Sequence, residues 1–191
     1  MSFDFLNHFS YNSPVILTYL IISFVVLIFN QLTKEKSTDK FFATYRSNPK
    51  DILMYPRLIT HIFGHYGWDH FISNFLCILV IGPMLEEKFG SEKLLLFILI
   101  AAFSIGIIHN TISKAMTCGA SGIVYLFIIL SSYVNVEGDK IPLTFVLVPF
   151  LFLTKEIITW ISKNDKISHA AHIVGGLVGI IIILLMNNNL I

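Results

Sequence analysis

The amino-acid sequence predicts an all-α polytopic membrane protein, a bundle of six helices with a membrane-associated first loop. Of the 191 residues, 55% are hydrophobic and 13% are charged, and the mean hydropathy is +0.76. A soluble domain of this length carries far less apolar surface. The candidate helices are six uncharged tracts: residues 5–33, 71–85, 94–113, 115–136, 141–154 and 167–191. Because no internal repeat or long linker divides them, we expect residues 1–191 to form a single transmembrane domain.

The first tract, residues 5–33, is expected to be a retained membrane span rather than a cleaved leader. No basic region precedes it, and no clear cleavage site follows "IISFVVLIFNQL". Loop one, about residues 34–67, mixes charged and aromatic side chains, as in "KFFATYRSNPKDILMYPR". Such side chains suit the headgroup region of a bilayer. We therefore expect loop one to fold at the membrane surface.

The five remaining tracts are joined by brief connections. Several tracts reach the roughly 20 residues that a helix needs to cross the hydrocarbon layer, whereas the second and fifth are short and flanked by polar residues. A tilted or re-entrant arrangement stays open for those two. The connections after the second to fifth tracts are "EEKFGSEK", "HNTISKAMTCG", "NVEGDK" and "SKNDK". Connections this short make neighbouring spans antiparallel, so the second, fourth and sixth spans run in the same direction.

That alternation brings four polar side chains to one depth. His70 and Asn74 lie in the first turns of the second span, Ser121 begins the fourth, and His172 lies near the start of the sixth. Strongly polar groups inside a membrane protein are costly and usually face the bundle interior or a water-filled cavity. The pattern therefore predicts a polar cavity among these three spans.

Ser121 and His172 have the chemistry of a nucleophile and its base. A serine hydroxyl becomes nucleophilic when a neutral histidine within hydrogen-bond reach takes its proton. No Asp or Glu lies within a predicted span at this depth, so we expect a two-residue dyad without an orienting carboxylate. Tyr125, one helical turn beyond Ser121, is expected to pack on the imidazole and fix its ring.

Glycines accompany both segments and are expected to bring them together. Small residues on a helical stripe let a neighbouring backbone approach closely in lipid. The glycines around Ser121 and after His172 are Gly119, Gly122, Gly175, Gly176 and Gly179. We therefore expect the histidine helix to pack directly against the serine helix.

Acyl transfer also needs hydrogen-bond donors for the oxyanion. Ser121 at a helix start offers backbone N–H groups and the positive end of the helix dipole. His70 and Asn74, four residues apart on one helix face, offer side-chain donors. One reaction thus accounts for all four polar residues.

The motifs "GASG" with Tyr125, "AHIVGGLVG" and "HIFGHYGWDHFISNF" together resemble the rhomboid family of intramembrane serine proteases. The resemblance runs from about residue 55 to the end of the sixth span, and "LEEKFGSEK" and Arg57 also match the family. It implies that Ser121 is the nucleophile, that His172 is the base, and that His70 and Asn74 complete the oxyanion hole. One departure is Pro56, which stands where the family often has an aromatic residue before the loop-one arginine.

The resemblance also implies an architecture, a substrate class and a location. Six helices should surround a short serine-bearing fourth helix, with a membrane-embedded first loop and a mobile fifth helix that gates lateral substrate entry. The implied activity is cofactor-independent and metal-free cleavage of transmembrane protein substrates within the lipid bilayer. The implied location is the plasma membrane, with both termini in the cytoplasm. The net charge of +1 gives no indication of a nucleic-acid partner.

Two other functions remain as alternatives. A rhomboid-like pseudoenzyme would bind transmembrane helices without cutting them, although such proteins typically lose the serine or the histidine. A small transporter would use a set of histidines, namely His61, His65, His70, His169 and His172, and would call for carboxylates or repeated half-sites within the spans. Outside the dyad, we expect His169 to be a secondary pocket residue, His61 and His65 to pack within loop one, and Cys77 and Cys118 to be small core residues.

Overall fold

The computed structural model describes residues 10–134, 140–162, 166–188 and 190, and in that part of the chain seven α-helices form a bundle. Their bounds are α1 Pro14–Leu32, α2 Met54–Thr60, α3 Trp68–Phe89, α4 Ser91–Ile112, α5 Ser121–Ser131, α6 Leu143–Ser162 and α7 Lys166–Asn187. Helix α2 belongs to loop one, and the other six correspond to the six predicted tracts. Four helices of the described part are long and apolar enough to cross a membrane: α1, α3, α4 and the His169–Asn187 part of α7. The predicted all-α polytopic bundle is confirmed; the start of the first tract, residues 5–9, lies outside the described residues.

The lengths of three helices differ from the predicted tracts. Helices α3 and α6 have 22 and 20 residues because each continues through charged positions that the tracts excluded. Helix α5 has only 11 residues, because residues 115–120 approach it in a non-helical conformation. The expectation of short second and fifth helices is therefore wrong, and the short helix is the serine-bearing one, as the resemblance implied.

Helix α5 lies at the centre of the bundle. Its side chains at Ile123, Leu126, Phe127, Ile129 and Leu130 have no solvent exposure. It packs against α7, α3 and α4, and to a smaller extent against α6. An apolar helix buried on all sides is held by packing and needs no amphipathic pattern. Ser121, its first residue, is thereby fixed within the bundle.

The predicted contact between the serine and histidine helices is observed. A Cβ on Gly175 of α7 would lie 2.1 Å from the backbone oxygen of Gly122, and one on Gly179 would lie 2.9 Å from the Cβ of Ile129. These distances leave no room for a side chain, so the two backbones touch. Gly176 departs from the expected stripe, because its nearest neighbour is Leu153 of α6.

Loop one is folded, and its fold rests on Arg57. This side chain is only 3% exposed, forms an ion pair with Asp51, and donates from Nη1 to the Lys40 carbonyl oxygen at 3.3 Å. Its guanidinium also lies 4.5 Å from the centre of the Tyr45 ring. A buried charge needs such partners, and Pro56 in the preceding position does not prevent them.

The opposite end of the bundle is tied by Glu86 of α3. Its carboxylate accepts hydrogen bonds from the backbone N–H groups of Val15 and Ile16 at 2.9 and 3.1 Å, and from the Ser91 hydroxyl at 2.7 Å. The first N–H groups of a helix have no partner within it, and a negative charge there also favours the helix dipole. The "LEEKFGSEK" segment therefore fixes the start of α1.

Candidate active site

Ser121 begins α5 directly after a strained turn at Gly119. Gly119 has φ +126°, a conformation that side-chain-bearing residues rarely adopt. A Cβ at this position would also lie 2.6 Å from Nε2 of His70. Backbone conformation and space both require glycine here, and the turn presents Ser121 beside His70.

A cavity lies at this turn, and two of the four polar side chains that the sequence placed at one depth, His70 and Ser121, line it. It has a volume of about 220 Å³ and is lined in part by His70, Gly119, Ser121, Gly122 and Ala171. The remaining lining comes from loop one, α4 and the segment that leads into α5: His61, Tyr66, Ile105, Met116, Thr117 and Cys118. Side chains and backbone of α3, α5 and α7 thus meet around one cavity.

The imidazole of His172 is held on two sides. The Tyr125 ring stacks on it with centroids 4.3 Å apart and an angle of 11° between the planes, as predicted. Its Nδ1 lies 3.0 Å from Oε2 of Glu156. Because the carboxylate can only accept, Nδ1 carries the proton and donates it. In the neutral imidazole the other nitrogen, Nε2, is then the basic atom.

Glu156 contradicts the prediction that no carboxylate lies near the histidine. This side chain of α6 is 3% exposed; its Oε2 accepts from His172 and also from Nδ1 of His169 at 2.6 Å, while its Oε1 accepts from the Tyr125 hydroxyl. The predicted fifth tract, residues 141–154, ends before Glu156 and leaves this residue outside the span. The apolar run "IITWI" directly after it is the signal that α6 continues.

His169 therefore has a more specific place than a secondary pocket residue. It shares one carboxylate oxygen with His172, and the two imidazole rings are 6.0 Å apart and perpendicular. In the described part of the chain, Glu156, His169 and His172 form the one group whose ligand atoms could hold a metal ion, all within 4.8 Å of one another.

The side chains of His70 and Asn74, the two expected oxyanion donors, both lie near Gly119, two residues before Ser121. A Cβ on Gly119 would lie 2.6 Å from Nε2 of His70 and 3.7 Å from Nδ2 of Asn74. Asn74 is 6% exposed, and Nδ2 donates one hydrogen to Nε2 of His65 at 3.2 Å. The amide carries a second hydrogen, which is not needed for that bond.

His65 links loop one to the site. Its Nδ1 donates to the Phe63 carbonyl oxygen at 3.2 Å, which makes Nε2 the acceptor for Asn74 and for the backbone N–H of Ala120 at 3.4 Å. Burial, and secondarily the nearby His70, lowers the pKa of His65 to about 4, so the ring is neutral at physiological pH. The expectation of contacts only within loop one is corrected: His65 orients Asn74.

His61 makes a second link of this kind. Its Nε2 lies 3.0 Å from the Ala102 carbonyl oxygen of α4, and its own backbone oxygen accepts from the Gly119 N–H at 2.9 Å. Burial lowers the pKa of His61 to about 4. His61 and His65 are engaged in these structural hydrogen bonds. The five histidines that the transporter alternative requires therefore do not form a single ligand-binding set.

Comparison with known proteins gives a consistent result. The Rhomboid domain family model matches residues 53–189, well over half of the chain. Rhomboid protease GlpG of Serratia proteamaculans (strain 568) is 25% identical over 173 residues, which are 88% of this chain and 61% of that protein. The protein of the same name from Salmonella paratyphi A (strain ATCC 9150 / SARB42) is 28% identical over 131 residues, 65% of this chain and 46% of its own length. The chain thus spans about three fifths or less of the length of these curated relatives.

Proposed function

We propose that this chain, which belongs to the rhomboid family, is an intramembrane serine endopeptidase that cleaves transmembrane or juxtamembrane segments of other membrane proteins. The observation that carries the proposal is the meeting of Ser121 at the start of α5, His70 against Gly119 and the backbone of α7 around one cavity. His172 on α7 is oriented by Tyr125 and Glu156. The GlpG relatives, named as rhomboid proteases, support the same activity.

In the first step, Ser121 Oγ attacks the carbonyl carbon of the scissile peptide bond, and its proton passes to Nε2 of His172. Glu156 accepts the Nδ1–H hydrogen bond, which fixes the tautomer and stabilises the imidazolium that forms. The proposed catalytic group is therefore Ser-His with a carboxylate that positions the histidine, not an unsupported dyad.

The tetrahedral intermediate places a negative charge on the former carbonyl oxygen. The backbone N–H of Ser121, the second amide hydrogen of Asn74 and the ring of His70 are the donors that we assign to it. Collapse of the intermediate breaks the C–N bond, and His172 Nε2 returns its proton to the leaving amine. A water molecule, deprotonated by the same nitrogen, then attacks the acyl carbon. The ester bond to Ser121 Oγ breaks, and Nε2 returns the proton to that oxygen.

The substrate is expected to be a transmembrane helix that unwinds easily. A helical backbone hides its carbonyl groups in internal hydrogen bonds, so a buried serine can attack only an extended segment. Gly, Pro or other small residues near the cut would lower the cost of unwinding. We also propose that the protein lies in the plasma membrane with both termini in the cytoplasm.

The test is a comparison of three variants reconstituted with a model transmembrane substrate. Ser121→Ala and His172→Ala should abolish cleavage in proteins that remain folded, and a fluorophosphonate probe should label only Ser121 of the wild type. Ser131→Ala is the matched control, since that hydroxyl of the same helix is bonded to the Ile128 carbonyl oxygen. Cleavage by Ser121→Ala at the wild-type rate, or labelling of another residue, would contradict the assignment. Substrate binding without cleavage by the wild type would favour the pseudoenzyme alternative.

A further inference from the structure

The cluster formed by Glu156, His169 and His172 has the ligand set of a zinc site. Two imidazole nitrogens and one carboxylate oxygen lie within 4.8 Å of one another, and Oε2 of Glu156 is 2.6 and 3.0 Å from the two Nδ1 atoms. Two histidines and a carboxylate with an open fourth position form a recurrent zinc-binding set. We infer that this cluster binds Zn²⁺ and that the bound ion inhibits the protease.

The backbone already presents the three ligands toward one point. His169 and His172 are three residues apart on α7, so their side chains are neighbours on one face of the helix, and Glu156 meets them from α6. Zinc lies about 2.0–2.2 Å from such nitrogen and oxygen ligands. Ligand atoms around a tetrahedral ion at that distance lie about 3.3–3.5 Å apart. Oε2 of Glu156, now 2.6 and 3.0 Å from the two Nδ1 atoms, therefore has to move away from each of them by less than about 1 Å to admit the ion. The Tyr125 hydroxyl, bonded to the other carboxylate oxygen, would keep Glu156 oriented.

The ligand types select the ion. Imidazole nitrogen suits zinc and its transition-metal neighbours, whereas Mg²⁺ and Ca²⁺ require a shell of oxygen ligands. The cluster is accessible at its edge, since the side chains of His169 and His172 are each 15% exposed. A water molecule can fill the fourth position from that side.

Inhibition follows from the tautomer of His172. A metal at Nδ1 takes the place of the hydrogen that Nδ1 now donates in its bond to Glu156, and the neutral imidazole then carries its one N–H on Nε2. That nitrogen must be unprotonated to take the proton of Ser121. The inhibitory consequence, unlike the metal site itself, rests on the proposed function.

Metal binding is tested without catalysis by titrating Co²⁺ into the full-length Ser121→Ala variant. A three-ligand site should give the visible absorption bands of tetrahedral Co²⁺, and Zn²⁺ should abolish them stoichiometrically. His169→Asn in the same background keeps an N–H donor at this position but removes one imidazole, and it should lose the bands. His109→Asn is the matched control, because that histidine on α4 is bonded to the Ala115 carbonyl oxygen. Absence of the bands in Ser121→Ala, or their persistence in His169→Asn, would overturn the inference.

The inhibitory effect is tested by substrate cleavage at increasing free Zn²⁺, with each variant compared with its own rate in EDTA. Wild type and His109→Asn should lose activity together, and EDTA should restore it. His169→Asn should need at least about tenfold more Zn²⁺, since even partners outside the ligand shell change metal affinity 10- to 100-fold. Equal sensitivity of all three proteins would refute inhibition at this site. If no protein cleaved any substrate, the Co²⁺ bands would still decide the metal site, and only the proposed protease activity would fail.

Discussion

Glu156 is the residue that most changes the chemistry expected of His172. It lies in α6 with 3% exposure and accepts hydrogen bonds from both histidines and from Tyr125. Glu156→Gln removes the negative charge that stabilises the imidazolium while nearly preserving the shape. We expect kcat to fall by about 10²-fold or more, within the 10²–10⁴ range of general acid–base catalysis, with KM little changed. The rates should be measured in EDTA so that no bound metal contributes.

The controls separate positioning from folding. Glu156→Asp keeps the charge and should recover part of kcat, while the adjacent Lys155→Gln alters an exposed charge and should leave kcat unchanged. Thermal unfolding should be similar for these three variants. A Gln variant that loses stability as well as activity, with no recovery in Asp, would indicate a purely structural role for Glu156.

Asn74 and His70 should act on the transition state rather than on folding. Asn74→Ala and His70→Ala are each expected to lower kcat about 10²–10³-fold, the usual loss for one oxyanion donor. Activity should not vanish, because the backbone N–H of Ser121 remains. The exposed neighbour Ser73→Ala is the control. Single-turnover rates equal to wild type in both variants would show that neither side chain stabilises the oxyanion.

Sequence alone could identify residues that are polar where their surroundings are apolar. That reasoning singled out four residues because a lone polar group in a membrane span needs a reason: His70, Asn74, Ser121 and His172. Two of them, His70 and Ser121, line the cavity. The same reasoning missed Glu156, since Lys155 and Glu156 together read as the end of a span. It also missed the bond between His65 and Asn74, because contacts across loop one depend on its folded path. A hydropathy pattern reveals neither the continuation of α6 through Glu156 nor the bond between His65 and Asn74.

At the scale of elements, the contact between α5 and α7 depends on two glycines. A Cβ on Gly175 would lie 2.1 Å from the Gly122 oxygen, which is backbone and cannot turn aside. Gly175→Ala should therefore force the helices apart, and overpacking of this kind typically costs about 1–3 kcal/mol. We expect a lower midpoint of thermal unfolding in detergent and loss of cleavage. Gly67→Ala is the control, since a Cβ there meets no atom within 4 Å; equal midpoints for the two variants would contradict the close contact.

Loop one should make the fold sensitive to acid. Burial lowers the pKa of both His61 and His65 to about 4, below the ordinary value of 6.5. Between about pH 6.5 and pH 4 the unfolded chain therefore binds protons that the native loop does not, and stability must fall as the pH falls. The loss amounts to about 3 kcal/mol for each histidine at the lower limit.

The measurement is the free energy of unfolding at several pH values for wild type and for His61→Gln. Glutamine keeps an N–H donor for the Ala102 carbonyl oxygen and does not titrate. The variant should show a shallower pH dependence in this window. An identical pH dependence of the unfolding free energy in the two proteins would mean that native His61 takes up its proton in the same pH range as it does in the unfolded chain.

The short α5 and the path that loop one takes are the features that composition could not predict. The residues before Ser121 are held by an antiparallel backbone pair between Thr44 and Thr117. Each residue donates its N–H to the carbonyl oxygen of the other, with nitrogen-to-oxygen distances of 2.9 and 3.0 Å. This pairing joins loop one to the segment between α4 and α5, more than 70 positions apart. It keeps residues 115–120 out of the helix, so that α5 begins only at Ser121. Periodicity along the chain cannot detect such a long-range constraint.

At the scale of the whole molecule, charge and family resemblance disagree about orientation. Of the 13 Lys and Arg residues, ten lie on or near the side of loops one, three and five, and positive-inside counting would place that side in the cytoplasm. The resemblance places it outside. The structure weakens the charge count, because Arg57 is buried against Asp51 and Arg46 donates from Nε to the Thr111 carbonyl oxygen at 2.9 Å. Basic residues whose charge is held by other parts of the protein contribute less to the positive-inside count than freely solvated ones do.

We therefore expect loop one to face outward and the turn between α3 and α4 to face the cytoplasm. Lys50 and Lys88 are exposed on these two opposite sides, and each can be replaced by cysteine in a Cys77→Ala, Cys118→Ala background. In intact cells, Lys50→Cys should react with a membrane-impermeant maleimide before lysis and Lys88→Cys only after it, while the cysteine-free parent stays unlabelled. Because the bundle inserts as one unit, the two labelling results must indicate the same orientation. The reverse pattern would refute this orientation, and it would move the expected cleavage site to the cytoplasmic side of the substrate.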